Sequence, residues 1–144
     1  MKNCKEIKHG SNDYKKAMIL RDAILRKPLG RVYSAEDSAK EADSFHLICV
    51  ENGEVMATLI FKPLSGGTLQ MRQVAVKKSL QGKGYGCILV KFSENFAKER
   101  GYKEIILHSR ATAVGFYEKL GYQKYGDGFI EIGLPHFMMK KVLD

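Results

Sequence analysis

Gln81-Gly82-Lys83-Gly84-Tyr85-Gly86 is the stretch of this chain whose residue types and spacing could do chemistry. Three glycines in six residues leave backbone N–H groups with no Cβ in front of them. Before the loop, Leu69-Gln70-Met71-Arg72-Gln73-Val74-Ala75-Val76 reads as a strand ending in branched residues. After it, Cys87-Ile88-Leu89-Val90 through Phe96-Ala97 repeats apolar residues at helical spacing. A strand, a glycine-rich loop and a helix together aim several amides at one point. The helix dipole adds roughly half a positive charge there, so the site suits a phosphate or a diphosphate.

Two phosphate-binding loops fail on spacing. A nucleoside-triphosphatase loop needs four residues between its first glycine and Gly-Lys-Ser/Thr, which Lys83-Gly84-Tyr85 does not supply. A dinucleotide loop is G-x-G-x-x-G directly after the strand, with an acidic residue about 20 positions on. Here the glycines run G-x-G-x-G, Lys77-Lys78-Ser79-Leu80 separates strand from loop, and the next strand is expected to end at His108 without a carboxylate. The pattern Gln81-x-x-Gly84-x-Gly86 instead resembles the Q/R-x-x-G-x-G/A loop of the GNAT superfamily of acyl-CoA-dependent N-acyltransferases. Ala113-Val114-Gly115-Phe116-Tyr117-Glu118-Lys119-Leu120-Gly121-Tyr122 is similar to the same family's A-x-x-F-Y-E-K-L-G-F/Y helix, at a fitting distance along the chain.

The resemblance implies acetyl-CoA as co-substrate and direct N-acetylation of a primary amine, on a small molecule or a peptide. Such a transfer has three needs. The amine must lose its proton, since alkylammonium groups have a pKa near 10. The oxyanion needs a hydrogen-bond donor, and the departing thiolate benefits from an acid. The family likeness carries the acid onto Tyr117 and the oxyanion donor onto the backbone N–H of Val74 or its neighbours. It also places pantetheine along Val74-Ala75-Val76, beside Ala113 and Phe116, and diphosphate on Gln81, Gly82, Lys83, Gly84, Tyr85 and Gly86. A plainer reading of Tyr117 stands beside this one, because Ala113, Phe116, Tyr117 and Leu120 share one helical face and could simply be core.

The base is less defined. Glu131 is a charge among strand-forming residues in Gly128-Phe129-Ile130-Glu131-Ile132-Gly133, and His136 follows Leu134-Pro135. Alternation in a strand at Phe129–Ile132 groups Glu131 with Phe129, opposite Ile130 and Ile132. With the two isoleucines on the core side, Glu131 turns to the cleft. His108, Arg110, Arg72 and Gln73 complete a candidate acceptor pocket. The combination of H-x-R, E-x-G-L-P-H and Leu20-Arg21-x-x-x-Leu25-Arg26-Lys27-Pro28-Leu29-Gly30 resembles a recurrent bacterial subgroup of small GNAT proteins. A structural Glu–His or Glu–Arg pair is the alternative, and ordered water can replace a side-chain base.

These residues need a scaffold. Tyr14 to Leu25 has helical spacing and stops at Pro28-Leu29-Gly30, and Ser34-Ala35-Glu36-Asp37 could cap a short helix. Phe45–Val50 and Val55–Phe61 read as strands joined by an Asn52-Gly53 hairpin. A looser turn at Pro63–Thr68 leads into Leu69–Val76. The helix beyond the glycine loop ends near Arg100-Gly101, and Glu104–His108 follows as a strand far enough along for a parallel crossover. A helix over Thr112–Leu120, with Gly121 at its end, and strands at Phe129–Ile132 and Phe137–Val142 complete the chain. The expected class is α/β of the α+β type: a mixed, mainly antiparallel sheet with flanking helices, in one domain over residues 1–144.

Composition sets the remaining bounds. With 44% hydrophobic and 28% charged residues, this is an ordinary globular composition. No apolar run approaches the roughly 18 residues of a membrane span, and the first residues carry no secretory pattern. Cys4, Cys49 and Cys87 show no metal-like pairing and fit reduced thiols in a cytoplasm; no metal is expected. The net charge of +8 invites a nucleic-acid reading, but the basic residues are scattered rather than interleaved with aromatics. Attraction of an anionic cofactor is the better account. Binding acyl-CoA as a sensor without turnover is the other alternative, disfavoured by the intact Tyr117 and glycine loop. A homodimer is left open.

Overall fold

The computed structural model describes residues 3–30 and 38–144. Seven strands form one sheet in the order β1-β2-β3-β4-β5-β7-β6. They are β1 (Asn3–Ile7), β2 (Phe45–Glu51), β3 (Glu54–Pro63), β4 (Thr68–Val76), β5 (Glu104–Arg110), β6 (Gln123–Glu131) and β7 (Leu134–Val142). Among the described residues, α1 (Asn12–Arg21), α2 (Tyr85–Glu99) and α3 (Val114–Lys119) flank the sheet. All neighbouring strands are antiparallel except β4 and β5, the pair joined by the α2 crossover. This is the mixed, mainly antiparallel class expected.

Alternation in β2 and β3 divides the core between the two sheet faces. Leu47 and Cys49, with Ala57, Leu59 and Phe61, meet Leu89, Val90 and Phe96 of α2. Ile48 points the other way and packs with Tyr14, Ala17 and Leu20 of α1. The Asn52-Gly53 hairpin takes positive φ at both residues (53° and 74°), which suits the twist of the flanking strands. Ser11 caps α1 by accepting from the Tyr14 amide at 3.2 Å.

Several elements differ from the sequence expectation. β1 was not anticipated: NCKEI is mostly polar, and only Ile7 is buried, as befits an edge strand. The first helix does not run evenly to Leu25; after Arg21 it widens into a π-helical turn (Asp22–Arg26), then a 3₁₀ turn ending at left-handed Gly30. The expected helix over Thr112–Leu120 opens as a 3₁₀ turn at Ala111–Ala113 and becomes α-helical from Val114. β5 continues past His108 to Arg110, and β6 starts at Gln123. Ile130 and Ile132 do not face the core; they are 69% and 48% exposed. β6 lies at the sheet's edge, outside β7, whose Met139 marks the last fully sealed layer. The cap expected at Ser34 lies outside the described residues.

Candidate active site

The site begins where two strands part. β4 pairs with β5 only from Thr68–Glu104 to Met71–Leu107, whereas β5 stays paired with β7 as far as Arg110–His136. Beyond Met71 the two parallel strands diverge and a wedge opens. On the other edge of β4, Ile60 faces Arg72 and Thr58 faces Ala75, so two residues, Gln73 and Val74, oppose Leu59 alone. Gln73 takes φ 55°, an uncommon conformation for a non-glycine residue. A bulge of this kind bends the strand and re-aims its backbone. Here the bulged residues Gln73 and Val74 line the wedge, a cleft of about 710 Å³.

The glycine loop lies at the far end of β4. Gly84 is the N-cap of α2 with φ 89° and offers no capping side chain. The Ile88 amide donates to the Gly84 carbonyl at 3.0 Å. Among the described residues the amides of Gly84, Gly86 and Cys87 have no backbone acceptor, the usual state of a helix start. The Gln81 and Lys83 amides are already engaged with the carbonyls of Lys78 and Leu80, so the amides without a backbone acceptor gather at the helix end rather than along the whole loop. Open space surrounds the positions where Cβ atoms would stand at Gly82 and Gly84. Gly86 differs: a Cβ there would sit 3.3 Å from Phe116 and 3.4 Å from Val76, so this glycine lets α2 pack close to α3 and β4. Tyr85 is buried and its hydroxyl donates to Glu51, tying the helix start to β2. Any contact of Tyr85 with an anion would come from its backbone.

Tyr117 lies on α3, only 7% exposed, within the main core yet on the wall of the cleft. The core and cleft readings of this residue therefore coexist. Its hydroxyl has no hydrogen-bond partner among the described residues. Burial pushes its pKa above the usual phenol value, so it holds its proton across any ordinary pH. Ala113 lines the same cleft, while Phe116 sits beside Gly86 with 38% of its surface exposed.

Across the wedge, β5, β6 and β7 bring Glu131, His108 and His136 together. His108 Nδ1 is 2.9 Å from Glu131 Oε1, and His136 Nε2 is 3.6 Å from Glu131 Oε2. His136 Nδ1 donates to the Leu134 carbonyl at 2.8 Å, which leaves Nε2 as the nitrogen able to accept a proton. Phe129 stacks on His136 at 5.9 Å and meets His108 edge-on at 5.2 Å, fixing both rings. A second bulge, between Tyr125 and Phe129, turns the end of β6 into this position. Glu131 thus faces the cleft although the isoleucines do not face the core. Arg72, Gln73 and Arg110 line the same space.

Sequence reasoning missed part of the wall. The π-helical turn contributes Ile24, Leu25 and Arg26, and Arg26 reaches the bulged Gln73 at 3.3 Å. The motif running from Leu20 to Gly30 was the signal for these residues, without showing what they touch. Lys40, Lys62 and Gln70 also line the cleft, and nothing in the sequence marked them.

A diverging parallel pair beside a helix N-terminus invites comparison with known acyl-transfer proteins. The model of the GNAT acetyltransferase family matches residues 15–122. The chain belongs to that family. An uncharacterized Bacillus subtilis protein, YyaT, is 31% identical to this GNAT protein, over 76% of this chain and 81% of its own length. Among solved structures, one from Lactobacillus plantarum assigned as an N-acetyltransferase superposes with a TM-score of 0.89 at 24% identity, covering 99% of this chain and 98% of that one. An aminoglycoside 6′-N-acetyltransferase complexed with coenzyme A gives a TM-score of 0.83 at 18% identity, over 99% and 97% of the two chains. These structural likenesses show the GNAT fold. Among the described residues, no helix is long and apolar enough to cross a membrane.

Proposed function

We propose that this GNAT protein transfers the acetyl group of acetyl-CoA directly to a primary amine inside the 710 Å³ cleft. One observation carries the reading: a single cavity is lined by Val74 at the strand bulge, the protonated Tyr117 and the Glu131–His136 pair. The residues present fit the coenzyme, since the α2 start leaves the amides of Gly84 and Gly86 without a backbone acceptor and Gly82 and Gly84 border open space suited to a diphosphate. The thioester supplies an electrophilic carbon and a thiolate leaving group.

The chain's own groups divide the remaining work. His136 Nε2, with its tautomer held by Leu134, takes the proton from the ammonium, and Glu131 stabilises the imidazolium that results. The amide of Val74 or a neighbour on the bulge donates to the thioester oxygen as it gains negative charge. Tyr117 donates its hydroxyl hydrogen to the sulfur as the C–S bond breaks. The nitrogen gives one proton to His136 before attack and a second, once the C–N bond has formed, to the Tyr117 oxygen that has protonated the departing sulfur. Sulfur leaves as the thiol, Tyr117 is restored, and the His136 proton passes to solvent. No covalent bond to the protein forms.

Glu131→Gln tests the support that Glu131 gives to the base His136. With the carboxylate gone, kcat/KM for the amine at pH 7 falls on the order of a hundredfold, while the dissociation constant of CoA stays unchanged. Raising the pH restores part of the loss, because the free-base fraction of an alkylamine grows about tenfold per unit below its pKa. Wild-type turnover in Glu131→Gln at pH 7 would remove Glu131 from the reaction.

A further inference from the structure

Among the described residues five cations line the cleft, Arg26, Lys40, Lys62, Arg72 and Arg110, against two carboxylates, Glu41 and Glu131. Neither carboxylate is available to neutralise them. Glu41 forms a bidentate pair with the buried Arg21, at 2.9 and 2.7 Å. Glu131 faces His108 and His136. Arg26 is turned to Gln73 and lies 4.0 Å from Asp22. Among the described residues the side chains of the other four, Lys40, Lys62, Arg72 and Arg110, make no ion pair or hydrogen bond. An arrangement of like charges around a concave space repels itself and concentrates field of one sign there.

The coenzyme's diphosphate does not account for this charge. Its cradle lies at Gly84–Gly86, beyond the end of β4, and Lys77, Lys78 and Lys83 stand on that side. Arg72 precedes Val76 by four residues, roughly 13 Å along the strand. Lys62 pairs in register with Gln70, further still from the loop. The cations therefore belong to the acceptor arm of the cleft, on the approach to Glu131 and His136.

We propose that the acceptor is a small primary amine that also carries an anionic group, a carboxylate or a phosphate, held by Arg72, Arg110, Lys62 and Lys40. This rests on the acetyl-transfer reading. The amine sits at the Glu131–His136 pair, where the negative charge of the carboxylate suits an ammonium before its proton is taken. The anion sits among the four cations, where guanidinium forks match the planar or tetrahedral oxygens. A polyamine would bring a second positive charge into a region where, among the described residues, cations outnumber carboxylates and both carboxylates already face cationic or imidazole partners. Selectivity thus comes from repulsion as well as attraction.

A matched set of probes tests the inference: butylamine, 1,4-diaminobutane, 4-aminobutyrate and 3-aminopropyl phosphate, each with acetyl-CoA and read by thiol release. Binding of the two anionic probes to the CoA-loaded protein is measured by calorimetry, independently of turnover. One or both anionic amines should exceed butylamine at least tenfold in kcat/KM and diaminobutane by more, with the preference shrinking as salt is raised. The stronger of the two identifies the anion. Arg72→Gln and Arg110→Gln should each weaken binding of that probe at least tenfold and leave the CoA dissociation constant unchanged. Higher kcat/KM for diaminobutane or butylamine would overturn the anionic acceptor and leave acetyl transfer standing. Failure of both anionic probes to bind the CoA-loaded protein would overturn it whatever the turnover. Anion binding without turnover of any amine would keep the pocket and sink the enzymatic reading instead.

Discussion

Removing one oxygen from Tyr117 separates chemistry from packing. In Tyr117→Phe the ring remains, with its edge contacts to Phe116 and Tyr122 at 5.0 and 5.8 Å. The lost hydroxyl has no protein partner among the described residues, so no hydrogen bond is broken. The Tyr117 hydroxyl opens onto the cleft, unlike the sealed hydroxyl of Tyr122, so its removal costs no buried hydrogen bond and should leave stability within about 1 kcal/mol. For a chain of this length, 1 kcal/mol shifts Tm by roughly 2–4 °C, so the variant should melt within a few degrees of the wild type. Turnover should behave differently. A positioned acid contributes about 10²–10⁴ in rate, which at 1.36 kcal/mol per tenfold is about 3–5 kcal/mol of barrier. The assay is paired: thermal melting, and thiol release at saturating acetyl-CoA, with the CoA dissociation constant measured separately. A stable variant with kcat down at least a hundredfold and unchanged CoA affinity is expected. A stable variant with wild-type kcat would refute the acid role, and a large drop in Tm would refute the account of an unpaired hydroxyl.

Two further outcomes follow from the geometry. Gly84→Val places a β-branched residue at φ 89° and a side chain over the open helix end; backbone strain of about 1–3 kcal/mol should leave the protein folded by circular dichroism, while CoA affinity falls at least tenfold by calorimetry. Burial raises the pKa of both Tyr117 and Tyr122 above the usual 10. The unfolded chain therefore loses these protons first, and stability holds below pH 10 and declines as pH rises above it. Each tyrosine contributes up to about 1.4 kcal/mol per pH unit. Urea titrations between pH 9 and 11 should show a shallower decline in Tyr117→Phe/Tyr122→Phe; an identical decline would contradict the burial argument.

The strand–loop–helix unit proposed to hold the coenzyme was legible in the sequence, because its signals are local. Glycine spacing, a branched strand before it and an apolar helical repeat after it mark β4, the loop and α2 within about thirty residues. The acceptor side depends on features without a residue signature. The bulge in β4 puts a positive φ on Gln73, where no glycine announces it. The π-helical turn at Asp22–Arg26 preserves the apolar spacing of an ordinary helix while carrying Arg26 to the cleft. Alternation grouped Glu131 with Phe129 and set both against Ile130. It could not say which face was buried, since that depends on β6 lying at the sheet's edge. Lys40 and Lys62 are ordinary surface lysines in sequence, and only the folded chain brings them to the wedge.

Direct transfer in this cleft is tested most simply by a single turnover with enzyme in excess over acetyl-CoA and amine, quenched over time and read by mass. Thiol and acetylated amine should appear together, at one rate, with no acetyl group on the protein at any time. Transient acetylation of the protein, or thiol appearing ahead of the acetylated amine, would contradict the account.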